Sequence, residues 1–521
     1  MDNSEGAALL DNKKDYLKDF NSQLDGNPKK FSCLKFFRSI WPYLQVYFIL
    51  LASIQGFGLL ALPDTLSHSG IQPFIAVTAL AFVVEVSLSY YFLAIVQKAS
   101  AIRRNGHSYK YIKEDSDDKT IDQLLDEQQK DSDVNLHMIA ESFLPSYAII
   151  IFDIVCFGTF FTCQVANVLS GSQAYGDLFN LSYKAIMPIY VWIGALLLIF
   201  GRYYLVNIIS TISLIRCGLL TIMIIMCFVV GYFIHNTIQN DWHYVISPLF
   251  IALNAMGGTA RMIPYLINLV KFNRKSMIYF FIATACAQFT AAFLNIMWSY
   301  AVLYVVPQTC SQIPEKFFDT ENASPENFCN LTLEWAKATG SIATTPLTTI
   351  FQRYYPQYQW TSVMVKILIM LSVTVSYLST GLPLATWGIG VNKSIWKFFK
   401  KGNTEKTDEE LLKPSSTENG WLKFTGLIIQ VLSFASIYVV SLCYPQGFYF
   451  FSSYANPFFV FLLDGIFMII LFRKATSKEF SDVEIPFAIP TYCQFGAYLV
   501  SLFFIAVAIL DFLSMIKVIR T

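Results

Sequence analysis

Apolar residues come in long blocks, separated by shorter polar or charged segments. A helix that crosses a bilayer needs about 20 mostly apolar residues. About eleven blocks read as spans: 42–62, 72–97, 145–171, 186–200, 204–234, 245–270, 277–306, 361–391, 421–443, 457–472 and 490–516. The fourth is short, and only Gly201-Arg202 divides it from the fifth. The blocks are too long and too uniformly apolar for barrel strands, whose side chains alternate between lipid and lumen. Helices satisfy their own backbone in lipid, so the pattern predicts an all-α membrane protein. Residues 1–40 are polar and read as a disordered cytosolic tail, with no cleavable leader ahead of the first span. The membrane domain is expected over 41–516, followed by a short tail, 517–521. It is interrupted by solvated cytosolic segments at 103–135 and 400–420 and by an extracytosolic loop at 307–360. Asn135 to Phe143 reads as a short interfacial helix.

Charge sets the orientation. Lys29, Lys30, Lys35 and Arg38 precede the first span, which places the N-terminus in the cytosol. Alternation then puts Lys98, Arg103, Arg104, Lys271, Arg274, Lys275, Lys393, Lys397, Lys400, Lys401, Arg473, Lys474 and Lys478 on the cytosolic side. Lys517 and Arg520 fall outside, against the rule. The sequons at Asn180, Asn322 and Asn330 fall on the extracytosolic side and are expected to carry glycans, whereas the one at Asn392 is cytosolic and should be unused. Of ten cysteines, only Cys310 and Cys329 lie in the long outer loop. That compartment permits a disulfide, and sequence leaves their pairing open.

Composition agrees with the block pattern: 55% hydrophobic and 14% charged residues, against about 25% charged in soluble domains. A net charge of +1 gives no reason to expect nucleic acid. The lipid bilayer is the expected medium, and no cofactor is expected. No nucleotide loop, HExxH or Cys/His metal spacing is present in the sequence, so it does not read as an enzyme. Nothing resembles a channel filter or a charged ring. In the tail, Glu5, Leu9 and Leu10 fit an acidic dileucine signal, read by sorting adaptors of lysosomal or vesicular membranes; chance accounts for so short a pattern equally well.

Two spans carry helix-breaking residues. The first contains Ser53-Ile-Gln-Gly-Phe-Gly-Leu-Leu-Ala-Leu-Pro63, and the sixth contains Asn254-Ala-Met-Gly-Gly-Thr-Ala-Arg261 followed by Pro264. Glycine and proline are costly inside a helix. In lipid, interrupted backbone survives where it lines a protein cavity. One break alone is either a packing kink or a binding break. Breaks five spans apart, at matching places in two halves, point to a transporter substrate site.

Gly56 to Pro63, followed by Ser69-Gly70, resembles the first-helix signature of the amino acid/auxin permease family, which includes vesicular inhibitory, proton-coupled and sodium-coupled neutral amino acid transporters. The cytosolic insertion, the segment Met138 to Phe143, the glycosylated loop after the seventh span and the extracytosolic C-terminus resemble its layout, while the sixth-span motif departs from the aromatic-rich versions. The resemblance implies a five-plus-five inverted repeat with an added last helix. It also implies an amino acid substrate, held by Gly56, Phe57 and Gly58 at its carboxylate and by Asn254, Gly257, Gly258 and Thr259 around its side chain. Ser376, Ser379 and Thr380 of the eighth span would complete a sodium site in sodium-coupled relatives; proton-coupled ones lack it. The coupling ion is therefore H+ or Na+. The expected function is proton-coupled symport of small neutral amino acids on lysosomal or vesicular membranes. The alternatives are an amino acid sensor of similar build and a sodium-coupled plasma-membrane transporter.

Ionisable groups inside spans are functional by default. Glu85 and Asp153 are candidate proton carriers, or structural partners of Lys366 or another cation; Asp464 is a further candidate. Arg216 and Asp511 are assigned to span ends, where they would snorkel. The five histidines read mainly as solvated loop residues.

Overall fold

The computed structural model describes residues 28–105, 134–234, 236–314, 325–339, 344–401, 416–445 and 447–520. The dileucine residues Glu5, Leu9 and Leu10, most of the 103–135 insertion, the 402–415 segment, Asn322, His107 and His235 lie outside them. Among the described residues all regular structure is helical. In chain order the helices are α1 (Pro28–Ile54), α2 (Phe57–Ser69), α3 (Ile71–Asn105), α4 (Leu136–Phe143), α5 (Ser146–Phe179), α6 (Tyr183–Phe200), α7 (Arg202–Ile234), α8 (Ile246–Met256), α9 (Gly258–Leu266) and α10 (Arg274–Val305). After the long loop come α11 (Leu333–Thr339), α12 (Thr344–Tyr354), α13 (Gln359–Lys401), α14 (Ser416–Cys443), α15 (Phe448–Ala475) and α16 (Gln494–Arg520).

Nine of the described helices are long and apolar enough to cross a membrane: α3, α5, α6, α7, α10, α13, α14, α15 and α16. The other two apolar blocks are the ones with glycine breaks, divided into α1–α2 and α8–α9. Gly201 closes α6 and separates it from α7, which satisfies the short fourth span. Large apolar side chains such as Ile150, Ile151, Ile154, Leu196 and Phe200 face outward. On a soluble protein they would be an aggregation surface; in a bilayer they meet lipid.

The connecting segments sort to two ends, as alternating spans require. At one end Gln308 donates to the carbonyls of Leu66 (3.0 Å), Ser67 (3.3 Å) and Gln239 (3.2 Å). Gly70 there has φ +75°, and a Cβ on it would run into the Gln239 carbonyl, so the turn after α2 requires glycine. Cys310 and Cys329 form a disulfide at this end, with Cα atoms 5.0 Å apart. Asn180 and Asn330 are exposed there. At the opposite end Asn268 reaches the Val134 carbonyl (3.4 Å) and Asn392 donates to the Leu422 carbonyl (2.8 Å). Asn392 is buried, so its sequon is inaccessible in the fold.

Three local expectations change. Helix α1 begins at Pro28, inside the stretch read as tail. Helix α4 forms, capped by the Asn135 side chain on the Met138 amide (2.9 Å), but six of its eight residues are buried, so it is packed into the bundle and does not rest on an interface. Helix α15 contains two π-turns, Phe451–Ala455 and Leu463–Phe467, a deviation that clusters at functional sites.

Candidate functional site

The first break is confined to Gln55 and Gly56. The Gln55 amide still bonds to the Leu51 carbonyl (3.1 Å), and Gly56 then leaves helical geometry at φ −69°, ψ −124°. Pro63 lies inside α2, so the glycines make the interruption and the proline does not. The second break is narrower than the paired glycines suggest. Gly257 stays in the right-handed region (φ −72°, ψ −5°), ends α8 with its amide on the Leu253 carbonyl (2.8 Å), and α9 starts at Gly258. Neither α2 nor α9 has a side-chain N-cap. Their first amides are thus left without the usual side-chain acceptor.

The two breaks cross in antiparallel register. A Cβ on Gly58 would lie 2.9 Å from the Cβ of Ala255, and one on Gly258 would lie 3.0 Å from Ser53 Oγ. The N-termini of α2 and α9 therefore meet at one narrow cavity, lined by Ser53, Ile54, Gly58, Cys163, Asn254, Ala255, Gly258, Arg261 and Thr380. It holds about one water.

Of the residues expected at the substrate, Gly58, Asn254 and Gly258 line this cavity. The Asn254 amide is already engaged: it donates to the Ser452 carbonyl (3.0 Å) and accepts from Asn456 Nδ2 (2.8 Å), both on α15. Gly56 faces Ser376, whose hydroxyl a Cβ would overlap. Gly257 faces Glu85 Oε1 (3.1 Å from a built Cβ) and Val460 Cγ1 (3.2 Å). Thr259 turns its hydroxyl back to the Met256 carbonyl (3.2 Å). The Phe57 side chain lies outside the described atoms. On α13, Thr380 reaches the cavity and donates to the Ser376 carbonyl (2.7 Å), and Ser379 donates to the same carbonyl (3.1 Å). Ser376 Oγ is buried without a hydrogen-bond partner.

The intramembrane charges differ from expectation at several points. Arg216 sits in the middle of α7 and is fully buried. It donates to the carbonyls of Leu51 (3.0 Å), Ala52 (3.4 Å) and Gln55 (3.4 Å), and to Gln55 Oε1 (3.2 Å). The Leu51 carbonyl also keeps the Gln55 amide, whereas the Ala52 and Gln55 carbonyls lie at the break itself, so a cation there opposes the negative end of α1. Its place midway along the 204–234 block was the available signal. Asp511 is likewise fully buried and does not snorkel; neither carboxylate oxygen has a hydrogen-bond partner. Lys366 donates to the Asp177 carbonyl (3.1 Å) and pairs with neither Glu85 nor Asp153. Asp153 is held by His137 Nδ1 (2.8 Å) and Trp387 Nε1 (2.9 Å), and His137 Nε2 meets Ser394 Oγ (2.7 Å). His137 is thus a buried tie between α4, α5 and α13, not a solvated loop residue. Glu85, Asp464 and Arg261 remain, buried close to the second break.

No protein-family model matches the chain, and no curated relative matches it. Solved structures do. A manganese transporter from Eremococcus coleocola, crystallised with an aromatic bis-isothiourea compound, aligns with TM-score 0.51 and 13% identity over 92% of this chain and 88% of its own. A point mutant of the same transporter aligns with TM-score 0.51 and 12% identity over the same shares. At this identity the likeness concerns architecture. All-helical among its described residues and with two divided spans, the chain shares the fold of that membrane transporter.

Proposed function

We propose that this chain is a secondary active transporter of small neutral amino acids, driven by protons, on lysosomal or vesicular membranes. The observation that carries the reading is the convergence of two uncapped half-helix N-termini and the Arg261 guanidinium on one cavity. All three favour an anionic group. A zwitterion's carboxylate suits them, whereas a divalent metal ion, the cargo named for the structural neighbours, meets positive potential there. Small walls at Ser53, Ala255, Gly258 and Thr380 suit a short side chain. The cavity is narrow enough that α2 and α9 must part for a substrate to enter, in keeping with alternating access. The antiparallel crossing of the breaks supports a five-plus-five inverted repeat with α16 as an eleventh span.

Arg216 bears on the driving ion. A sodium site of the kind the resemblance implies would use carbonyls of the first helix with the α13 hydroxyls. Here a guanidinium already takes the Leu51, Ala52 and Gln55 carbonyls, beside Ser376. A second cation at that spot would meet repulsion, which favours protons over sodium.

Uptake of an amino acid panel into proteoliposomes, with a proton gradient and separately a sodium gradient, tests the proposal. Accumulation of glycine, alanine or proline under an inward proton gradient is expected, with no response to sodium. Accumulation only under sodium, or uptake of manganese ions in place of amino acids, would overturn it. The compartment rests on the tail motif: Leu9→Ala with Leu10→Ala should move the protein to the cell surface, and an unchanged distribution would remove that part.

A further inference from the structure

Glu85 on α3, Arg261 on α9 and Asp464 on α15 come from three separate helices and are all buried. Glu85 Oε1 lies 3.1 Å from the Cβ position of Gly257, and Val460, four residues before Asp464, lies 3.2 Å from the same point. The second break is thus the place where α3 and α15 meet. Glu85 and Asp464 lie within Coulombic reach of each other and of Arg261. Yet no ion pair within 4 Å joins any of them among the described residues. Both Glu85 oxygens, Asp464 Oδ2 and Arg261 Nε are buried with no hydrogen-bond partner. Asp464 sits in the second π-turn of α15, a deviation that clusters at functional sites. The other titratable groups that face this cluster come from α5: the Cys156 and Cys163 thiols, and Asp153, which is already tied to His137 and Trp387.

Two carboxylates and one guanidinium carry a net charge of −1 when all are ionised. Inside a membrane protein an uncompensated charge is strongly disfavoured, and one proton removes it. Arg261 is also the one member of the three that lines the central cavity. It can therefore face the carboxylate pair or a bound anion.

We propose that Glu85, Asp464 and Arg261 form a proton-carrying triad, and that Arg261 couples it to the cavity by turning from the two carboxylates to the carboxylate of the substrate. This deepens the function proposed above and rests on it for the identity of the anion. When Arg261 turns to substrate, the carboxylate pair loses part of its counter-charge, so proton and substrate binding reinforce each other. One proton would move with each zwitterion. On release of the substrate, Arg261 returns to Glu85 and Asp464, and the proton leaves to the same side.

The test uses reconstituted full-length protein and the variants Glu85→Gln and Asp464→Asn, each a neutral mimic of the protonated state. Two transport readouts separate coupling from binding: accumulation of labelled alanine driven by a proton gradient, and counterflow exchange of alanine without a gradient. The triad predicts loss of accumulation with counterflow retained in both variants. Retained accumulation in both, or loss of counterflow along with accumulation in correctly folded protein, would overturn it. If one variant fails to reach the membrane, the other carries the same test. A third readout does not depend on substrate. The infrared band of a protonated carboxyl, shifted in D2O, should be present in wild type and diminished in the Glu85→Gln/Asp464→Asn double variant. Identical bands in the two proteins would overturn the triad. Wild-type protein that moves no amino acid but shows this difference would retire the proposed substrate and leave the triad standing.

Discussion

Gly58→Val is expected to abolish amino acid uptake while the protein still folds and reaches its membrane. The glycine lies where α2 crosses α8. Its Cβ would stand 2.9 Å from Ala255 Cβ and 3.4 Å from Ala255 Cα. That second neighbour is backbone, so no side-chain rotation relieves the contact. Two further methyl groups push the half-helices apart at the cavity wall, at a cost of about 1–3 kcal/mol. A large bundle can absorb that amount, but the substrate site cannot, since a displacement of about 1 Å at such a site typically costs around a hundredfold in rate. Gly58→Ala should give an intermediate loss. Gly218→Val, on α7 with nothing within 4 Å of a built Cβ, should behave as wild type. Counterflow rates and surface expression, measured together, check this. Normal exchange by Gly58→Val would remove the first-helix crossing from the site.

Arg216→Met is expected to have the largest effect on stability. It withdraws the donors from the Ala52 and Gln55 carbonyls and from Gln55 Oε1, all buried, while the Leu51 carbonyl keeps the Gln55 amide. Each buried acceptor left without a partner costs about 1–3 kcal/mol, and lost compensation of the helix end adds up to about 2 kcal/mol. Arg216→Lys should rescue only in part, because one ammonium cannot span four acceptors as a planar fork does. The check is thermal stability in detergent by size-exclusion profile, with transport measured on whatever folds. Arg216→Met with wild-type stability would show that the α1 carbonyls find other donors and that the guanidinium is not what holds the break open.

How much of this was legible in the sequence follows from the physics of each feature. The apolar helices were, because a backbone in lipid must satisfy its own hydrogen bonds and blocks this long and uniformly apolar do so as helices. The positions of both breaks were, because Gly56, Gly58, Gly257 and Gly258 are expensive in regular helix. Their shapes were not. Gly257 keeps right-handed helical dihedrals, and Pro63 is accommodated inside α2. Polar partnerships across the bundle were the least legible part. Arg216 and the α1 carbonyls are far apart in the chain, and so are His137 and Ser394, and no periodicity encodes such pairings. The resemblance named Asn254 as a substrate contact, yet its amide serves α15, a helix whose π-turns leave no mark on the apolar pattern. Helix α4 was read over Asn135 to Phe143 as an interfacial helix, but its burial depends on a tertiary slot that composition does not reveal.

The most direct test is a structure determined with alanine bound. The substrate carboxylate should lie within hydrogen-bonding distance of the first amides of α2 and of the Arg261 guanidinium, with Gln55–Gly56 and Gly257 still interrupting their helices. Alanine bound elsewhere, or helices running unbroken through both positions, would contradict it.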